Sequence, residues 1–460
     1  MTSPGPARDR AASRATPPDA ARRPRPLAEL WRITYPLVLT SFAQVAITIV
    51  DTALLGRYST TALAAVALAA PVYLVAIMVV RGWATAAQII VARRFGAHDH
   101  DAVATVTAVG LVAAVLTGMA LGALLLGFAP TILELLGGGP AVADAGAGYL
   151  RILAAAVPFA AATFLLQGAY AGLGATRVAM VMMLLVNIVN LLLGLVLIFG
   201  CGLGIVGAGL AGLLSTAVGA GYLLWYGRRR TGERPLLRRR DLNQWQTAMP
   251  TLWRLAWPEA ALLFIGYVDE VVLIGFVAQL GGLTLGAQRL LDSLILVVFT
   301  VLTACGTGVS IAVGQRLGAG EPGAARAYQR AGLGLAAALA AVPAIPALLL
   351  PTAIYSLLSP DRAVVGVAAD ATHLAILSLV PLLFALNLTG VLRAAGDNRT
   401  IVKAMIVGDY AVLVPLAWLL GVHLGWGLNG IYAAWTGFSL LVLAMVFRRY
   451  RTGAWQTSSV

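Results

Sequence analysis

Asp51 stands in the apolar run AQVAITIVDTALLGR, where a carboxylate has few polar neighbours and can bind and release a proton or a small cation. Counted at about 1.5 Å per residue from Arg32, it falls in the outer third of the helix that such a run must form. Its blander role would be an interfacial aspartate balanced by Arg57. Asn187 and Asn190 lie three apart in NIVNLLLG and share a helix face, which suits either interhelical hydrogen bonding or ion ligation. Asn190 is the nearer of the two in depth to Asp51. Pro36 precedes Asp51 on the same run and supplies a bend through which a change of charge would alter packing.

Arg81, in VVRGWATAA, lies about 18 Å above Arg93 by helical rise, too deep to pair with Asp51. Gln167, Tyr170 and helix-end carbonyls are its expected partners, and its role is structural or lies in substrate selectivity or coupling. Asp269 and Glu270 are neighbours about 100° apart on one helix, so one of them is expected to face a cavity, with Tyr267 beside it. Asp409 is at a similar depth and six residues from Lys403, on a different face, which favours a cavity role over pairing. Asp292 and Arg289 are spaced to pair with each other and are expected to be structural.

The elements that must carry these groups follow from composition. With 60% hydrophobic and 11% charged residues over 460 positions, the chain has too few polar groups to cover a soluble globule and belongs in a bilayer. Apolar runs of about twenty residues recur six times in each half. They are centred near Thr40, Val75, Leu116, Phe159, Asn190 and Ala217, then near Phe264, Val298, Ala338, Pro381, Val414 and Leu440. The halves are copies: Pro36 recurs as Pro258, Gly96 as Gly318, Gly174 as Gly396 and Arg177 as Arg399, all at a spacing of 222. The expected fold is therefore an all-α integral membrane protein with twelve transmembrane helices in two six-helix lobes. A duplicated apolar chain of this size is the pattern of a secondary transporter, with substrate held between lobes that rock. The expected division is a disordered basic tail at 1–28, a first lobe at 29–227, a basic linker at 228–245, a second lobe at 246–450 and a short tail at 451–460.

A net charge of +13 comes from arginines gathered in the N-terminal tail, the linker and alternate loops. By the positive-inside rule these segments and both termini are cytoplasmic, while loops such as 130–147 and 351–365 lie opposite. The spread of charge argues against nucleic acid as partner. No short apolar core precedes a cleavage site, so no cleavable signal is expected. Cys201 and Cys305 suggest neither a disulfide framework nor a metal site, and His98 and His100 around Asp99 lack metal-binding helical spacing. Lys403 is the one lysine and follows Val402, so the chain has no Walker A loop, and uphill transport must draw on an ion gradient or a separate subunit. No cofactor is expected. High Ala, Gly and Arg content fits a bacterial plasma membrane.

The order of motifs resembles the multidrug and toxic compound extrusion (MATE) family over nearly the whole chain. YPLVLTSFAQVAITIVDTALLGR resembles that family's opening helix, ARRFGAHD its turn after the second, and GAYAGLGATR and GVLRAAGDNR its two G..R..GD.R turns. In the first of these, Ala171 and Ala175 stand where arginine and an acid are commoner. Arg81 is similar to an arginine of the DinF-like branch. The resemblance implies a V of two six-helix bundles around a central cavity, and export of mostly cationic, amphipathic compounds in exchange for protons or sodium. It implies a coupling-ion role for Asp51. Family members often place a second acid four residues after the asparagine matching Asn190; here Gly194 stands there, which favours protons over a two-acid sodium site. A small-molecule substrate, the bilayer and a monomeric state complete the expectation. A lipid-linked saccharide flippase of the wider superfamily is the alternative. A transporter of the major facilitator type fits ARRFGAHDHD poorly, and a membrane-embedded transferase lacks clustered acids or histidines at one interface.

Overall fold

In the computed structural model, residues 25–135, 140–229 and 243–457 are described, without the side chains of 60–63 and 140–143. Residues 1–24 of the expected disordered tail and most of the expected linker lie outside the described residues, and α1 begins at Pro26, where proline suits a first helical turn, inside the expected tail. Twelve described helices are long and apolar enough to cross a membrane. They are α1 (Pro26–Tyr58), α2 (Thr60–Gly96), α3 (His100–Leu135), α4 (Pro140–Gly172), α5 (Thr176–Gly200) and α6 (Gly204–Arg229) in the first lobe. The second lobe holds α7 (Trp245–Gln279), α8 (Gly282–Gly318), α9 (Pro322–Leu349), α10 (Arg362–Ala394), α11 (Asn398–His423) and α12 (Gly427–Arg451). Each of the expected apolar centres falls within its helix. The two loops expected opposite the arginines are shorter than the sequence suggested. α3 runs through Pro130 to Leu135, and 351–365 contains a short helix, Pro351–Ser356, before α10 begins. Both stretches open on proline at or near a first turn or carry it in an apolar helix, where a missing N–H is tolerated.

The duplication is written into the backbone. Gly174, after α4, and its mate Gly396, after α10, both have φ 75°, a left-handed turn that only glycine adopts without strain. Wider π-type turns also recur, at Leu195–Gly200 in α5 and Ala417–His423 in α11, and α11 has a further one at Gly408–Leu413.

The first helix of each lobe is shared with the other lobe. Leu30 of α1 belongs to the second lobe's core, with Ile33, Val38 and Phe42 packed against it, whereas Ile47 and Leu55 further along pack on the first lobe. In α7 the pattern is mirrored. Ala248, Leu252, Leu255 and Ala256 sit in the first lobe's core, and Leu273 and Val277 in the second's. Lipid offers no hydrophobic drive between helices, so this exchange rests on close packing, with Leu30 against Gly308 and Gly332 and Ala256 against Gly82.

The face that carries Arg94, Arg177, Arg228, Arg316, Arg399 and Arg448 is called the basic face. Near it the lobes meet. Gly96 of α2 lies against the carbonyl of Gln315 on α8, and Gly318 against the carbonyl of Arg93. Gln315 Nε2 also donates to the carbonyl of Gly172 at 2.8 Å, and the ring of Trp83 lies 5.8 Å from that of Trp253. Glu29 of α1 accepts from Arg316 Nη2 at 3.0 Å and from the hydroxyl of Tyr328, and Arg316 also bonds Glu321 at 3.2 Å. These interlobe contacts all lie in the half nearer the basic face, so the cleft between the lobes closes there.

Candidate functional site

Three helices of the first lobe bring one polar chain together. Asn190 Nδ2 on α5 donates to Asp51 Oδ1 on α1 at 2.6 Å, and Ser215 on α6 donates to Asn190 Oδ1 at 3.4 Å. Asn190 is 2% exposed and Ser215 1%, so the carboxylate is oriented by groups that have no water to turn to. Tyr149 stands within electrostatic reach of it, and Tyr73 within reach of Tyr149. Asn187 faces differently: its amide donates to the carbonyl of Met183, one turn back on its own helix, at 2.9 Å. Gly194, where a second acid would stand, lies against Leu54 of α1, so a longer side chain there would have to displace that leucine.

Arg81 is exposed although α2 is packed on by α3, α4, α7 and α8, which places it in an open cleft rather than in the core. Its guanidinium carbon lies 5.0 Å from the centre of the Phe164 ring on α4. Gln167 is one turn from Phe164 and half-buried. Tyr170 does not line the cleft. It is 2% exposed, its hydroxyl donates to the carbonyl of Leu223 on α6 at 2.9 Å, and its ring meets Tyr226 edge-on. Six residues from Phe164 put it on another face of α4.

The second lobe brings two buried acids together. Asp269 and Asp409 are each 4% exposed and interact electrostatically, with Asp409 in the Gly408–Leu413 turn. Asp269 Oδ1 is buried without a hydrogen-bond partner. Glu270, its neighbour, is exposed, as is Tyr410 beside the aspartates. Asp292 and Arg289 make no ion pair within 4.0 Å among the described residues; they interact only at longer range, and Arg289 is exposed. Pro36 is buried within a continuous α1. No group of three or more His, Cys, Asp or Glu side chains suited to a metal occurs among the described residues.

Sequence reasoning missed Ser215 and the buried ion pair between Glu259 on α7 and Arg393 on α10, at 2.8 Å. Repeat arithmetic was available for another missed group: Arg94 pairs with Asp99 as Arg316 does with Glu321, 222 residues on.

The MatE family model matches residues 36–196 and 262–419, most of both lobes, including Asp51, Arg81, Asn190, Asp269 and Asp409. The chain belongs to the MatE family. Among curated MatE relatives, the probable multidrug resistance protein NorM of Bradyrhizobium diazoefficiens is 30% identical over 439 residues, covering 90% of each chain. The multidrug resistance protein PmpM of Pseudomonas aeruginosa is 28% identical, covering 86% of this chain and 84% of its own. The MatE fold is matched by a MOP superfamily transporter from Pyrococcus furiosus, with TM-score 0.86 at 18% identity, over 94% of this chain and 97% of that one. A multidrug resistance MATE transporter in an outward-facing conformation gives TM-score 0.87 at 18% identity, over 95% and 98%. The chain is thus a multi-pass membrane protein of a multidrug efflux transporter family and not an enzyme.

Proposed function

We propose that this protein is a secondary active antiporter that exports amphipathic small molecules by alternating access, driven by protons entering at Asp51. The supporting observation is the chain Asp51, Asn190, Ser215: a carboxylate held by a buried amide on another helix, so that adding a proton changes how α1 meets α5. α1 is suited to transmit that change, because its other end is packed in the second lobe beside Leu335 and Tyr328. Closure at the basic face leaves the cleft open opposite; with the basic face cytoplasmic, that is the substrate-releasing state. Residues 29–227 and 246–450 are the two rocking bodies, both termini are cytoplasmic, the protein works as a monomer, and the membrane is the bacterial plasma membrane. The acids of the outer half, Asp269, Glu270 and Asp409, would serve the cationic groups that the family resemblance implies. Purified protein in proteoliposomes, with an imposed proton or sodium gradient, tests the reading: proton-driven dye efflux that Asp51→Asn abolishes supports it. Absence of efflux under either gradient, with the protein folded, supports the lipid-linked saccharide flippase instead.

A further inference from the structure

Arg81 has a position in the cleft that its neighbours do not explain. It stands three helical turns above Ala92 on the same face of α2, and Ala92 lies against Gly314 of α8. Arg81 therefore leaves α2 on the side that meets α8 three turns below, and its guanidinium lies over Phe164 of α4 in the same lobe. Its repeat mate on α8 is Thr303, whose hydroxyl bonds the carbonyls of Phe299 and Thr300 on its own helix and offers no charge.

The acids are elsewhere or taken. Gly82, next to Arg81, lies against Ala256 and Ala260 of α7, so Glu259 is the acid of α7 at this height, and it is held by Arg393 at 2.8 Å. Asp269 lies nine residues beyond Ala260, about 13 Å further out, and Asp292 lies eleven residues from Thr303, about 16 Å out. Among the described residues, the contact of the Arg81 guanidinium is the face of Phe164 at 5.0 Å. A cation at membrane depth with an aromatic face beside it and no carboxylate in reach is a receptor for an anion attached to an apolar body. The planar guanidinium bonds a carboxylate, sulfonate or phosphate with two parallel N–H donors, a geometry that lysine does not reproduce.

We infer that the cleft takes amphiphiles carrying an anionic group, zwitterions included, with that group on Arg81 and the aromatic or apolar body against Phe164. This rests on the transport reading above and puts an anion-bearing substrate class in place of the purely cationic one implied by resemblance. In a zwitterion, the cationic end points outward, toward Asp269 and Asp409.

The test is equilibrium binding to the full chain in detergent, which does not depend on transport or its coupling ion. Fluorescence polarisation compares rhodamine B, which carries a carboxylate, with its ethyl ester, the same dye as a pure cation. Rhodamine B is expected to bind at least about tenfold tighter than the ester, as a charge-assisted bidentate bond gives. Arg81→Met, which keeps the apolar stem, should remove that difference by weakening rhodamine B alone, and Arg81→Lys should restore part of it. Equal affinities, preference for the ester, binding of neither dye, or loss of both dyes equally in a monodisperse Arg81→Met protein would each overturn the inference. Phosphatidylglycerol added to the micelles distinguishes the source of the anion. Displacement of rhodamine B makes a lipid headgroup the occupant, and lack of displacement a free amphiphile; either upholds the anionic class.

Discussion

Gly96 on α2 and Gln315 on α8 stand so close that a methyl group on the glycine would collide with the glutamine's carbonyl oxygen. Their repeat mates, Gly318 and Arg93, are in the same relation, so one pseudo-symmetric contact closes the basic face twice over. Backbone cannot yield as a flexible side chain does. Gly96→Val should therefore force the lobes apart at this face. With Cys201 and Cys305 replaced and spin labels at His100 and Arg326, the interlobe distance distribution should move to longer values in the variant. An unchanged distribution would mean that this contact does not hold the closed state.

The ion pairs beside that contact are expected to act on the same equilibrium more weakly. Arg316 and Glu29 are 30% and 47% exposed, which limits their pair to no more than about 1 kcal/mol, less in high salt. Glu29→Gln should widen the same distance distribution partially, and 1 M salt should reduce the difference between parent and variant. Tyr328→Phe, which removes the hydroxyl from the network, should resemble Glu29→Gln.

Glu259 and Arg393 should matter for stability. The side chain of Glu259 is 6% exposed, and removing Arg393 would leave its charge buried alone. Arg393→Met is expected to destabilise the protein by roughly 3–5 kcal/mol, read as a lower thermal midpoint in detergent. Arg393→Met with Glu259→Gln should recover most of the loss. Failure of the double variant to recover would show that the arginine acts through other contacts.

Within the site near Asp51, Asn190→Ala should lower the proton concentration needed for half-maximal transport more than Ser215→Ala does, because the amide donates to the charged carboxylate and favours it over the protonated acid. The amide touches the carboxylate at 2.6 Å, whereas the hydroxyl reaches the amide at 3.4 Å and also serves Gly212. A shift near 1 kcal/mol, about fivefold toward tighter apparent proton affinity, is expected for the serine. Equal effects would place the two residues in separate roles.

Much of this arrangement was legible in the sequence because membrane helices obey simple counting. Repeated apolar runs gave the twelve helices, and rise per residue put Asn190 at the depth of Asp51, where the hydrogen bond is found. Ser215 was hidden among small residues, since a helical hydroxyl usually bonds its own backbone, as Ser215 itself does to Gly212 at 3.0 Å besides reaching Asn190. Tyr170 was misplaced because proximity along α4 was taken for a shared face; its ring turns to α6 instead. The exchange of α1 and α7 between lobes left no trace, because both ends of each helix pack through apolar side chains and sequence does not say which neighbour they meet. Glu259 beside Pro258 was an intramembrane acid in plain view, but its partner lies 134 residues away on α10.

Efflux of a fluorescent dye from proteoliposomes under an imposed proton gradient, comparing the parent protein with Asp51→Asn, tests the central claim most directly. The substitution keeps the size of the side chain and a hydrogen bond to Asn190 but cannot take up a proton. Proton-driven efflux should fall at least about tenfold, the scale of losing one essential charge-assisted group, while dye binding in detergent is retained. Proton-driven efflux of equal rate in both proteins would contradict Asp51 as the coupling residue.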